Sequence, residues 1–155
     1  MMTLNLNTVS RQRGVALVET VIMTPLLLFL ILLTAEVTHA FVDHNTLSKS
    51  ARNGARYLAS NAALGTTGII VLTAQKVSDT RNLVVFGNAA GTGSPILPGL
   101  TTGNVQVTDI GNKRVQVTAT YPYSGILGDV LPTLGIGADI NLVMNLQATV
   151  SMRAL

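Results

Sequence analysis

The chain has 155 residues, a formal charge of +3 and 48% hydrophobic residues, enough for one membrane helix and one small domain. It has no cysteine, which excludes disulfides, thiol chemistry and cysteine-ligated metal. Without the two leading arginines, Arg11 and Arg13, the charge falls from +3 to +1, so the basic balance points to no nucleic-acid partner.

Met1–Ser10 is polar and aperiodic and reads as an irregular leader. From Val15 to Ala35 nearly every residue is apolar. Roughly 21 residues at about 1.5 Å each span about 32 Å, enough to cross a bilayer core. Arg11 and Arg13 precede the span and Glu36 and Asp43 follow it, which places the N-terminus inside and the remainder outside. An ordinary secretory signal carries a small-residue cleavage site after its apolar core. Here Thr34, Ala35 and Glu36 lead straight into more helix-forming sequence, so the natural place to cut is before the core, at Gly14–Val15. That cut makes Glu19 the fifth residue. Glu19 lies only about 6 Å along the helix from Val15. It can lean back to the headgroups or seek an opposite charge within the membrane. Pro25 removes one backbone hydrogen bond, to the carbonyl of Val21, and marks a candidate kink. Hydroxyls can compensate within a membrane helix, and Thr20 and Thr24 are close.

Residues 36–155 form the outer domain. Its helix continues to about Ala63, with Val37, Phe41, His44, Leu47, Ala51, Ala55, Leu58 and Ala62 on one apolar face. Lys49, Arg52 and Arg56 share another face, either a solvated stripe or a partner contact. Gly54 costs a helix interior about 1 kcal/mol against alanine and suggests close packing beside them. His39 and His44 are five apart and cannot hold one ion from a common helix face; His44 should pack as a neutral ring. Gly65–Gly68 reads as a turn, Ile69 to about Thr80 as a helix whose Ile69–Leu72 start could instead be a strand, and Asn82–Phe86 as a short strand. Gly87–Gly103 reads as an exposed loop, and its GTG lacks the strand–helix frame of a phosphate loop.

The rest alternates as antiparallel sheet. Val105 and Val107 lead to a Gly111-Asn112 hairpin turn. Val115, Val117, Ala119 and Tyr121 return, and Pro122 ends that strand. Ser124–Gly137 is a connection with one helical turn around Asp129–Leu131. In the last strand Ile140, Leu142, Met144, Leu146, Ala148, Val150 and Met152 fill one face, which the amphipathic half of the N-terminal helix covers. No acid outside the span pairs with a base in a recognisable catalytic arrangement, and Ser124 lacks a nucleophile elbow. The sequence indicates no enzyme, no cofactor and no metal.

Arg11, Gly14, Val18, Glu19, Pro25, Ala51, Arg52, Gly54, Ala55, Arg56 and Tyr57 follow one pattern. It runs R-x-x-G, an apolar start, Val-Glu, a proline within the span, then Ala-Arg-x-Gly-Ala-Arg-Tyr. That pattern resembles the TadE-like minor pilins of the tight adherence (Flp) pilus system, with Thr20 where the family commonly has an aromatic. The resemblance implies a pilin-like α+β fold: a long N-terminal transmembrane and amphipathic helix packed on a small antiparallel sheet. It implies a cytoplasmic prepilin leader over residues 1–14, removed by a prepilin peptidase at Gly14–Val15, and an inner-membrane span over 15–35. The domain from 36 would be periplasmic, or extracellular once in the pilus. The freed amine of Val15 would pair with Glu19 of another pilin subunit, at low dielectric where attraction is strong. The pilus assembly platform is a further implied partner. The alternative is an uncleaved, membrane-anchored periplasmic protein that docks an envelope component.

Overall fold

The computed structural model describes residues 7–63, 69–126, 128–133, 135 and 137–154, with side chains from residue 14 onward. The turn expected at 65–68 lies outside the described residues, as do residues 1–6 of the leader. Helix α1 runs from Asn7 to Asn61, 55 residues or about 82 Å at 1.5 Å per residue. Residues 7–10, expected to be irregular, are helical, since a long helix propagates outward at far lower cost than it nucleates. It continues unbroken through Pro25. Neither nearby hydroxyl compensates for the proline: Thr20 Oγ1 donates to the carbonyl of Ala16 at 2.9 Å and Thr24 Oγ1 to that of Thr20 at 2.7 Å.

Helix α2 spans Ala74–Phe86. This corrects the sequence reading at both ends. Ile69–Thr73 is not helical: Ile70 bridges to Ala63, and the Val71 N–H donates to the Ala62 carbonyl at 2.9 Å. The helix begins where Thr73 Oγ1 accepts from the Lys76 N–H at 3.3 Å. It then absorbs the expected strand at 82–86. Val84 and Val85 are β-branched, yet both are fully buried; tertiary packing overrides local preference there. Gly87 stops the helix at φ +76, a conformation that suits glycine.

Strands β1 (Val105–Gly111), β2 (Arg114–Tyr123) and β5 (Met144–Arg153) form one antiparallel sheet in the order β1-β2-β5. The β1–β2 turn falls one residue later than expected. Asn112 and Lys113 both take positive φ, 51° and 58°, the pattern of a type I′ turn. The register shifts between Asp109 and Gly111, which makes Ile110 the extra residue, while Gly111 pairs with Arg114. Pro122 does not end β2, which pairs on to Tyr123 against Met144. Strand β1 starts only opposite Ala119, so at Pro122 the missing N–H faces no ladder on that side.

The last strand is shorter than its pattern. Ile140–Asn141 is a separate strand, β4, paired only with β3 (Val130–Leu131), where a helical turn was expected. The break comes at residues 142–143. Leu142 N–H donates to the Asp129 carbonyl and Val143 N–H to Asn141 Oδ1, each at 2.8 Å.

The core lies between α1 and the sheet, with α2 alongside. Leu47, Ala51, Ala55 and Leu58 of α1, with Ala62 just past its end, meet Val115, Val117, Ala119 and Tyr121 of β2 and Ala148 of β5. Leu97 and Leu100 join this core from the Gly-rich loop, which is otherwise largely exposed. The architecture is α+β, a long apolar N-terminal helix on a small antiparallel sheet.

Candidate functional site

The two halves of α1 have opposite surroundings. Between Gly14 and Met23 every residue is exposed; Val15 is 68% and Ile22 67% accessible. Glu19 lies in a shallow apolar hollow lined by Val15, Val18, Ile22 and Met23. Among the described residues it has no hydrogen-bond or ion-pair partner. A methyl group added to Gly14 would touch nothing. The Gly14–Val15 bond sits within helical backbone.

At the end of the span the helix turns its polar side inward. The predicted apolar stripe fails at its first two positions: Val37 and Phe41 are 62% and 65% exposed, while Glu36 and Asp43 are buried. Glu36 is in helical phase with Asp43 and Leu47, so it points at the sheet. There the Tyr123 hydroxyl donates to Glu36 Oε1 at 2.6 Å. The Ile126 N–H donates to the same carboxylate, 3.1 Å from Oε2 and 3.3 Å from Oε1. Gly125 lies so close that any side chain there would collide with the carboxylate. His39 Nδ1 sits 3.2 Å from the Tyr123 hydroxyl and 4.0 Å from Asp43 Oδ2.

Burial raises the Tyr123 phenol well above its ordinary pKa, helped by its hydrogen bond to Glu36 and by the charges of Glu36 and Asp43. The phenol therefore remains a donor. The carboxylate is engaged by an O–H and an N–H donor. This cluster is a fixture that seats the sheet on the helix where the apolar span ends. The sequence reading used Glu36 only as a charge marker. Its spacing of seven from Asp43 and eleven from Leu47 was the signal that could have placed it.

The Ala51–Tyr57 run separates in space. Ala51 and Ala55 are in the core. Gly54 is buried, and a β-carbon there would lie 2.5 Å from Val84 Cγ2. Its closeness serves the contact between α1 and α2 and leaves no room for another chain. The Tyr57 hydroxyl donates to Asp79 Oδ2 at 3.1 Å. Burial, then the bond to Asp79 and its charge, raise the Tyr57 pKa. Lys49, Arg52 and Arg56 remain exposed on the outer side. His44 is half-buried, with Nε2 3.3 Å from the Gln147 carbonyl oxygen. Among the described residues no three metal-ligating side chains converge.

Fold and site define a class: a single helix, bare and apolar enough to cross a membrane at its N-terminal end, carrying a small α+β head on its other half. Residues 14–56 match the family model of TadE-like proteins. That segment is similar to TadE-like proteins, in agreement with the resemblance its sequence carries. The match covers Gly14, Glu19 and the run to Arg56 and stops short of the sheet. Comparison with curated proteins and with solved structures returned no match.

Proposed function

We propose that this chain is a minor pilin subunit of a tight adherence pilus, made with a leader that a prepilin peptidase removes at Gly14–Val15. It would sit in the inner membrane with its head in the periplasm, and leave the membrane by way of the pilus assembly platform. The observation that carries this reading is the bare Glu19. An exposed carboxylate on an apolar helix with no partner among the described residues is costly in lipid. Cleavage creates a positive amine at Val15, and the amine of one subunit can meet Glu19 of the next.

Gly14 fits the same scheme. The bond to be cut lies in helical backbone, so a turn must open for a protease to reach it. Glycine lowers that cost by about 1 kcal/mol relative to alanine. The exposed stripe Lys49, Arg52 and Arg56 is then a contact for other pilin subunits or the platform; Gly54 belongs to the head's own packing.

The test is the N-terminal sequence of the mature protein from membranes, read beside Glu19→Ala. A new end at Val15, with Glu19→Ala inserting normally but failing to assemble, is the expected result. An intact Met1 in cells that make working fibres overturns the proposal and leaves an anchored docking protein.

A further inference from the structure

The uncharged surface of α1 does not stop at Ala35. Glu36 and Asp43, the first acids after the apolar span, are both buried. The positions left exposed beside them are Val37, Thr38, Phe41 and Val42. No exposed carboxylate, lysine or arginine therefore interrupts α1 between Glu19 and Lys49. Those two lie about 45 Å apart along the helix axis. A hydrocarbon core is about 30 Å thick, and a bilayer with its headgroup layers about 40–45 Å. The uncharged surface thus matches the whole bilayer, not the core alone. Its hydroxyls are closed off as well. Thr34 Oγ1 donates to the Leu30 carbonyl at 2.7 Å, Thr38 Oγ1 to that of Thr34 at 2.8 Å and Thr46 Oγ1 to that of Val42 at 2.9 Å. Each donor is satisfied inside the helix and asks nothing of water. One apolar hollow of about 730 Å³ joins the span to the head. It follows a face of α1 from Leu27 through Ile31 and Thr38 to Val42, flanked by Ile126 from the loop after β2. Its ionisable lining residue, His39, has Nδ1 3.2 Å from the buried Tyr123 hydroxyl. The Ile126 backbone is tied to Glu36, yet the residue stays 57% exposed.

We infer that the near face of the head is itself seated in the bilayer, with Val37, Phe41, Val42 and Ile126 at the boundary between headgroups and acyl chains of the outer leaflet. Val42 is about 10 Å along the helix from Ala35, and apolar side chains bury about 5–10 Å into that boundary. A tilt of about 20°, ordinary for a membrane helix, lowers them further. The occupant of the hollow is lipid for two reasons. The hollow is continuous with the span, since it begins at Leu27 inside it. Its threonine hydroxyls at 34 and 38 are already spent on helix carbonyls, which leaves a polar partner little to read. Burying Glu36 under Tyr123 then lets the head rest on the membrane without presenting an acid to it. This inference rests on the proposed membrane span.

The chain lacks cysteine, so single-cysteine probes are clean. A fluorophore is placed in turn on Phe41→Cys, Val42→Cys and Ile126→Cys of the full-length chain in phospholipid nanodiscs. Part of the lipid carries a nitroxide quencher near the top of its acyl chain. Leu28→Cys reports the span. Ser151→Cys, exposed on β5 toward the end of the sheet away from Tyr123, reports the water-facing head. The three boundary probes should be quenched at least about fivefold more than Ser151→Cys, as burial of about 5–10 Å requires. Quenching no stronger than at Ser151→Cys, with Leu28→Cys quenched, overturns the inference and keeps the span. Leu28→Cys unquenched refutes both. Unlabelled Val42→Cys that forms disulfide dimers, with its labelled form unquenched, assigns the hollow to a second copy and equally overturns the inference.

Discussion

Replacing Tyr123 with phenylalanine isolates one bond of the Glu36 cluster. The ring and its packing stay; only the hydroxyl that donates to Glu36 Oε1 at 2.6 Å is lost. Tyr123 is 3% exposed and Glu36 3% exposed, so no water replaces that donor freely. A hydrogen bond to a charged group contributes about 1.5–3 kcal/mol net, and we expect Tyr123→Phe to cost about 2 kcal/mol. For a head of this size that lowers the melting temperature by roughly 6–12 °C. Near-UV circular dichroism of the tyrosines in mild detergent reports it, because the bare helix contributes no tyrosine. Glu36→Gln keeps the shape and still accepts through one oxygen, so it should cost less, about 1 kcal/mol. The double variant should recover part of the sum, since contacting residues couple by about 0.5–3 kcal/mol. A Tyr123→Phe protein that melts within a degree of the parent, or a double variant that is strictly additive, would refute the claim that this carboxylate seats the sheet.

Further outcomes follow from the same geometry. Tyr57, Tyr121 and Tyr123 are all raised above the ordinary tyrosine pKa by burial, so the fold holds protons that the unfolded chain releases. That stabilisation is complete below about pH 10 and is lost as pH rises through the folded values; alkaline absorbance titration should show no tyrosine ionising at its ordinary pKa before unfolding. Gly54→Val should cost about 1–3 kcal/mol in a denaturant melt through overpacking against Val84, and Val84→Ala should restore part of it. Arg52→Glu with Arg56→Glu should leave the melt within about 0.5 kcal/mol yet abolish pilus assembly; normal assembly would remove the basic stripe from the proposed contacts.

Periodicity made the helix, the sheet and their mutual cover legible, because each element presents one apolar face and the faces fit. It failed where a residue's surroundings, not its type, decide its place. Val84 and Val85 read as strand because their β-branching is local, while the Gly54 notch that receives Val84 is thirty residues away. Val37 and Phe41 read as core because they are apolar and in step. The head has no surface to offer them, and the inward position goes to a glutamate that finds donors on β2 and its following loop. The type I′ turn was displaced by one residue because Gly111 stays in the ladder opposite Arg114 and leaves the turn to Asn112 and Lys113. Of the site, Gly14, Val15 and Glu19 stood out because nothing local explains them. Glu36 stayed hidden because an acid after an apolar span has an ordinary explanation.

The two glutamates on α1 settle how one helix can serve two environments. They lie seventeen residues apart, about 25 Å along the axis. Glu36 has its charge answered by its own chain, from Tyr123 and Ile126, so it holds the head whether or not lipid surrounds the span. Glu19 has no such answer among the described residues, and on the proposed function its cost is relieved by the amine of another subunit. If the roles were exchangeable, moving the unmet acid away from the new amine should be tolerated. Glu19→Ala combined with Ile22→Glu keeps one carboxylate on the same apolar stretch about one helical turn further in. On the proposed pairing this variant should insert and fold with an unchanged melt, yet fail to assemble as completely as Glu19→Ala alone. Assembly at the parental level would show that a negative charge anywhere on the span suffices, and the geometry of the amine–carboxylate pair would no longer carry the function.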